Sequence, residues 1–347
     1  MKIFHIAAAF VFLATLSVSA FAAPAGARPQ NHTVRATLPP LIAPDAPARD
    51  AAEPLEIFPY AKFDLSRIPE SSALAKSACY ANTFWTLCDS DNAPVVFALR
   101  ASGEIIMPAV ARGNYAGIRL TGTRNIDWEC LTLDDAGNLI VGDVGNNLSN
   151  RRNLCFYIVP EPNPAADVVT PPRKKVSFYY PTQDDFLPRQ GNYDCESCFA
   201  LNGQIYFFTK HWADTETVLW RVDPKIESYQ AAIPVARFDA RGMVTDAALS
   251  PSHRRLAILT YHGVWVFELP APDASGKIPE NAFFTNARAH FRRLSAPSEF
   301  WQIEGVAFED ENTLLIASEQ GVLFRVPVAA LDVSAPKNSA TPEKNLL

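Results

Sequence analysis

Between residues 53 and 331 apolar and polar positions alternate in short β-branched and aromatic runs broken by turn residues, and helical spacing of apolar positions is nearly absent. These runs sort into a repeated unit. Each unit opens on an acid, passes through a strand of small residues, turns, and rises into a strongly apolar strand. A third strand, aromatic and often ending at Pro, completes it. The copies begin at Glu70 (with Thr83–Asp91 and Val95–Leu99), at Glu129 (with Asn138–Asp143 and Cys155–Pro160) and at Glu196 (with Gln204–Lys210 and Val218–Pro224). Two more begin at Asp246 (with Arg255–Tyr261 and Val264–Pro270) and at Glu304 (with Thr313–Glu319 and Val322–Pro327). The leading acids are 59, 67, 50 and 58 residues apart.

A three- or four-stranded sheet of this size cannot bury both faces alone, so the units must stack radially. The expected fold is therefore all-β, a propeller of five four-stranded blades. Outer fourth strands are expected at Ile105–Pro108, Lys175–Tyr180, Ala232–Phe238 and Arg288–Leu294. The last unit runs out of chain after its third strand, so Glu56–Phe63 is expected to supply its edge and close the ring. Six blades would follow if Pro160–Asn192 held a further unit.

The ends read differently. Lys2, the apolar run Ile3–Val18 and the small residues Ala20 and Ala22 read as a signal peptide over residues 1–22, which implies a secreted or periplasmic protein. Residues 23–52 form an Ala/Pro-rich linker, 53–331 the propeller domain, and 332–347 a flexible tail. The 31 Lys and Arg are scattered among 37 Asp and Glu, for a net charge of −6, which argues against nucleic acid as a partner. No later segment has spanning length, so no membrane insertion is expected after cleavage. A small-molecule or protein ligand remains. Cys79, Cys88, Cys130, Cys155, Cys195 and Cys198 in an exported chain allow up to three disulfides. The Cys195-x-x-Cys198 pair has no second such pair and no His at metal-ligand spacing, so zinc is disfavoured.

In a propeller the first strand of each blade lines the central channel, so acids heading those strands converge. Glu70, Glu129, Glu196, Asp246 and Glu304 cannot all stay ionised there without a cation or other partners. Oxygen donors without His or thiolate suit a hard cation, Ca²⁺ ahead of Mg²⁺. The plainer alternative neutralises them with Lys210, Arg124 or backbone amides. Asp127 and Asp194 stand two residues before Glu129 and Glu196, on the same strand face. Asp89, Asp143, Lys210, Tyr261 and Glu319 end the second strands; Asp89, Asp143 and Lys210 join Asp127 and Asp194 as candidate ligand-binding groups. Lys210 can receive an anionic group or neutralise a Glu. The loop Gly142–Asn147 lacks the glycine spacing and following helix of a phosphate cradle, and reads as a tight hairpin loop tolerant of left-handed backbone. Trp85, Trp128, Trp220 and Trp265 are expected to pack between blades.

Five local patterns carry a resemblance: Glu70–Leu74, Trp85–Asp91, Asp127-Trp-Glu-Cys130, Gly142–Asn147 followed by Arg151 and Arg152, and Asp194–Ser197. Together they resemble a family of exported bacterial β-propeller proteins, which implies the fold over roughly residues 66–328. Cys88, Cys130, Asn146 and Cys195 depart from that pattern, and the cysteines there suggest disulfides tying inner strands. A looser likeness is to the five-bladed calcium-dependent nucleotidases. The resulting expectation is a binding module with Ca²⁺ in its channel. The alternative is a calcium-dependent hydrolase of a phosphate ester or phosphoanhydride, with Glu129, Glu196 and Glu304 as metal ligands.

Overall fold

A computed structural model describes residues 36–44 and 53–332, apart from 112, 114, 188–190, 281, 282 and 285–287. The signal peptide, most of the linker and the tail after Asp332 lie outside the described residues. The remainder folds into five sheets arranged as a five-bladed β-propeller. Blade 1 runs outward through Ala75–Lys76, Phe84–Leu87, Val95–Leu99 and Ile118–Leu120; blade 2 through Trp128–Leu133, Asn138–Asp143, Cys155–Pro160 and Lys174–Tyr179. Blade 3 comprises Asp194–Leu201, Gln204–Lys210, Glu216–Val222 and Ile233–Asp239; blade 4, Val244–Leu249, Arg255–Thr260, Gly263–Glu268 and Ala289–Ser295. Blade 5 has Ile303–Asp310, Thr313–Ser318 and Val322–Pro327, with Ala61–Lys62 as its outer strand. The N-terminal strand therefore closes the ring as expected, with Lys62 opposite Val322. Among its described residues Pro160–Asn192 adds no sixth blade; its strands serve blades 1 and 2.

Four blades carry a fifth, parallel strand at the rim: Val169–Thr170 on blade 1, Gln230–Ala231 on blade 2, Leu41–Ile42 on blade 3 and Leu55–Glu56 on blade 4. These short strands occupy edges that would otherwise offer unpaired backbone. Leu41–Ile42 comes from the Ala/Pro-rich stretch, where composition shows no strand. Blade 5 is protected differently. Gly103 turns there at φ 83°, and a Cβ on it would stand 2.0 Å from the Lys62 carbonyl oxygen, so the Ala101–Gly103 turn lies directly on the outer strand.

One expected outer strand differs. Ile105–Ile106 pairs only with Ala98 and Leu99, and Ile118–Leu120 takes the other half of the same edge. Pro108 has no N–H to carry the ladder on, so the first segment stops and a later one finishes the edge.

The core lies in layers between blades. Trp85 and Trp128 share one with residues of blades 5, 1 and 2; Trp220 packs between blades 2 and 3, and Trp265 between blades 3 and 4. All four are fully buried, as expected of inter-blade spacers. The six cysteines stand as free thiols, five of them buried and Cys79 exposed. The three disulfides that six cysteines allow are therefore absent from this structure, although Cys130, Cys195 and Cys198 share one apolar layer and Cys88 and Cys155 another. No helix among the described residues is long and apolar enough to cross a membrane.

Candidate functional site

The channel mouth is built by a repeated irregularity. In blade 2 Trp128 pairs with Asp143 and Cys130 with Gly142, leaving Glu129 as an extra residue. Glu196 is extra in blade 3, Thr245 in blade 4 and Glu304 in blade 5. Blade 1 also has one residue too many between the pairs Ser71–Cys88 and Ala75–Trp85. Such β-bulges interrupt the ladder and re-aim a side chain. Ser72 lies in that segment and its hydroxyl donates to Glu129 Oε2 at 2.7 Å. The bulge position thus reads Ser72, Glu129, Glu196, Thr245 and Glu304: three acids and two hydroxyls.

The leading acids of units one and four hold other registers. Glu70 stands two residues before Ser72, equivalent to Asp127 and Asp194; it is exposed and accepts from Asn92 Nδ2 at 2.8 Å. Asp246 stands one residue after its bulge and is fully buried. Its carboxylate accepts from the backbone N–H of Val306 at 2.7 Å, Ala247 at 2.8 Å and Leu74 at 3.3 Å. Leu74 belongs to blade 1, which is not adjacent to blade 4, so Asp246 bridges the channel interior. Beyond it the other end of the channel is a cup of about 530 Å³ lined by Ala75, Leu131, Ala247, Leu249 and Ala307.

Second-strand ends meet first-strand starts because the pairs are antiparallel, so both sets of polar residues share one mouth. Among the described residues, Asp89, Asp127 and Glu129 place carboxylate oxygens within 4.8 Å of one another. This trio spans blades 1 and 2. Behind it Asp143 is buried, ion-paired to Arg151 at 2.6 Å, and accepts the Asp127 N–H at 3.2 Å. Arg151 also reaches to 3.9 Å from Asp127 Oδ2 and donates to the Gly145 carbonyl at 2.6 Å. Asp194 is consumed structurally, accepting from Asn146 N at 2.6 Å, Cys195 N at 3.0 Å and Trp212 Nε1 at 2.8 Å.

The opposite wall is a chain of partners. Lys210 Nζ lies 2.8 Å from Glu196 Oε1 and donates to the Tyr261 hydroxyl at 3.1 Å. Tyr261 in turn donates to Glu304 Oε1 at 2.6 Å. Lys210 therefore faces the same mouth as the acids, already neutralising one of them. His211, next in sequence, points elsewhere, its ring held between Thr209 Oγ1 and Asp214 Oδ1.

Burial drives the electrostatics. It pushes the Glu129 carboxyl well above the usual range, and Glu196, Asp89, Asp127 and Asp194 push it further. Asp127 rises to about 7, first by burial and then by Asp89, against the pull of Arg151. Glu304 rises to about 8 through burial and its contact with Glu319, with Tyr261 and Lys210 opposing. Burial alone would lower Lys210, but Glu196, Tyr261, Asp194 and Glu129 outweigh it and hold the ammonium charged. Asp127 and Glu129 therefore resist ionisation on one side of the mouth, while Lys210, Glu196, Tyr261 and Glu304 form a linked network on the other.

Two features escaped the sequence. Ser72 and Thr245 carry no motif, and only the bulge register reveals their equivalence to the glutamates. The Gly142–Asn147 loop is not held by left-handed glycines, since neither Gly142 nor Gly145 has positive φ. Their role is close approach: a Cβ on Gly145 would lie 2.5 Å from the Asp127 carboxylate.

Fold and site together define a five-bladed β-propeller with an acid-lined channel mouth. No family model matches the chain, and no curated protein does either. Among solved structures, a gluconolactonase from Xanthomonas campestris is 11% identical, covering 84% of this chain and 89% of its own, with a TM-score of 0.36. An auxiliary nutrient binding protein from Bacteroides thetaiotaomicron is 10% identical over 74% of this chain and 69% of its own, with a TM-score of 0.37. A chain of a mitotic checkpoint complex is 12% identical over 74% of this chain, which spans 64% of it, with a TM-score of 0.34. The propeller assignment rests on the strand pairing.

Proposed function

We propose that this chain is an exported propeller binding module whose channel mouth takes a hard cation, Ca²⁺, through Asp89, Asp127 and Glu129. The observation that carries the reading is the convergence of these three carboxylates within 4.8 Å, with the Lys210 ammonium engaged by Glu196 and the Arg151 guanidinium 3.9 Å from Asp127 Oδ2. All-oxygen donors from two blades suit a cation with flexible coordination at 2.3–2.6 Å. Ligand ionisation costs least with the cation present, and Ser72 steadies Glu129 for it. The bound ion would then present open coordination sites to a small-molecule or protein ligand at the mouth.

The test is a thermal melt after EDTA treatment, with and without Ca²⁺. A midpoint rise is expected, equivalent to about 2.7 kcal/mol when Ca²⁺ is at 100 times its Kd. Asp127→Asn and Glu129→Gln should both remove it; an unresponsive wild type would sink the reading. The hydrolase alternative draws on Lys210, which stands at the same mouth as an anion clamp would. Its ammonium is engaged by Glu196 and Tyr261, so the binding reading is preferred. Calcium-dependent turnover of a nucleoside diphosphate, lost in Asp127→Asn, would reverse that preference. Export predicts a secreted product whose N-terminal sequence starts at Ala23.

A further inference from the structure

We infer that Cys130, Cys195 and Cys198 form a thiol–disulfide site between blades 2 and 3, in which Cys130 bonds to one of two partners on the facing strand. All three are fully buried in one apolar layer with Ile140, Phe156 and Phe207. On a regular strand Cys195 and Cys198 would face opposite sides. The bulge at Glu196 restores them to the same side, and both come within hydrogen-bonding reach of the Cys130 thiol. Gly142 fixes that thiol from behind, since a Cβ there would stand 2.3 Å from Cys130 Sγ. Of the other cysteines, Cys79 is exposed beside Glu161, Cys155 lies against Tyr157, and Cys88 is buried at the end of its strand in blade 1.

Three thiols support one bridge at a time. Two of them lose their protons and two electrons to a disulfide oxidant of the exported compartment, which leaves as two thiols while the new S–S bond forms. The third thiol can attack that bond and exchange the partner. Cys130 directly follows Glu129, and Cys195 and Cys198 flank Glu196. The bridge therefore ties together the two bulges that carry these mouth acids, whether or not a cation sits there.

The test uses the full chain equilibrated with glutathione disulfide, unfolded in guanidinium with an alkylating maleimide, digested and mapped by mass spectrometry. The expected result is four alkylated thiols and one internal bridge from Cys130 to Cys195 or Cys198. Cys195→Ser should shift the bridge wholly to Cys198, and Cys198→Ser wholly to Cys195. Cys130→Ser should leave no internal bridge and lower the melting midpoint under oxidising but not reducing conditions. Six alkylated thiols in the wild type, a Cys195–Cys198 bridge, or any pairing that omits Cys130 would overturn the inference. None of these readouts depends on calcium.

Discussion

Lys210 decides how much of the mouth is free for a ligand. Its ammonium, nearly buried, sits 2.8 Å from Glu196 and is flanked by the rings of Trp212 and Tyr261. Lys210→Met leaves Glu196 buried without its counter-ion, and should destabilise the protein by about 3 kcal/mol in urea unfolding. Adding Glu196→Gln should recover much of that loss, because a neutral amide no longer demands the charge. Gly145 acts on the other wall. Gly145→Ala must displace the Asp127 carboxylate, so it should abolish the calcium-induced rise in midpoint while costing about 1–3 kcal/mol of stability. If Gly145→Ala keeps the full calcium response, Asp127 is not a ligand.

The inner strand with its bulge is the element that makes the site. Antiparallel pairing alone would send alternate residues into the two inter-blade layers. The extra residue in the ladder turns one side chain per blade into the channel, and what stands there differs by blade. Asp246 falls outside this position and serves as a tie, since its carboxylate gathers amides of blades 1, 4 and 5. Asp246→Ala leaves those buried donors unmatched and is expected to cost about 3 kcal/mol or more, read from denaturant midpoints. A neutral result would mean that water replaces the carboxylate and the tie is dispensable.

At the scale of the molecule the mouth is a collective charge. Asp127 and Glu304 have folded pKa values of about 7 and about 8, against ordinary values of 3.8 and 4.5. The folded chain then binds more protons than the unfolded chain between about pH 4 and pH 8. Stability without cation should fall as pH rises through that window. Calcium requires ionised ligands, so its stabilising effect should grow from pH 6 to pH 8. Glu304→Gln should flatten the decline. A cation-free stability that rises across this range would contradict a mouth whose acids hold their protons on folding.

The sequence alone determined the repeat, the strand types and the closure by an N-terminal segment, because alternation, turn residues and length are local properties of the chain. It also marked Asp127 and Glu129 as acids heading for one opening and singled out Asp89 and Lys210 as polar strand ends, without deciding whether those ends share that opening. The register was beyond it. A bulge is a mismatch between two strands, so nothing in either strand by itself distinguishes Glu129 from Asp246, or announces that Ser72 and Thr245 occupy the same position as Glu196 and Glu304. The short rim strands such as Leu41–Ile42 were equally hidden, being too brief to alternate and defined only by the edge they cover. Only the tertiary structure decided which acids are engaged by Lys210, Arg151 and backbone amides and that Asp89, Asp127 and Glu129 converge, since each of those outcomes depends on distances between blades.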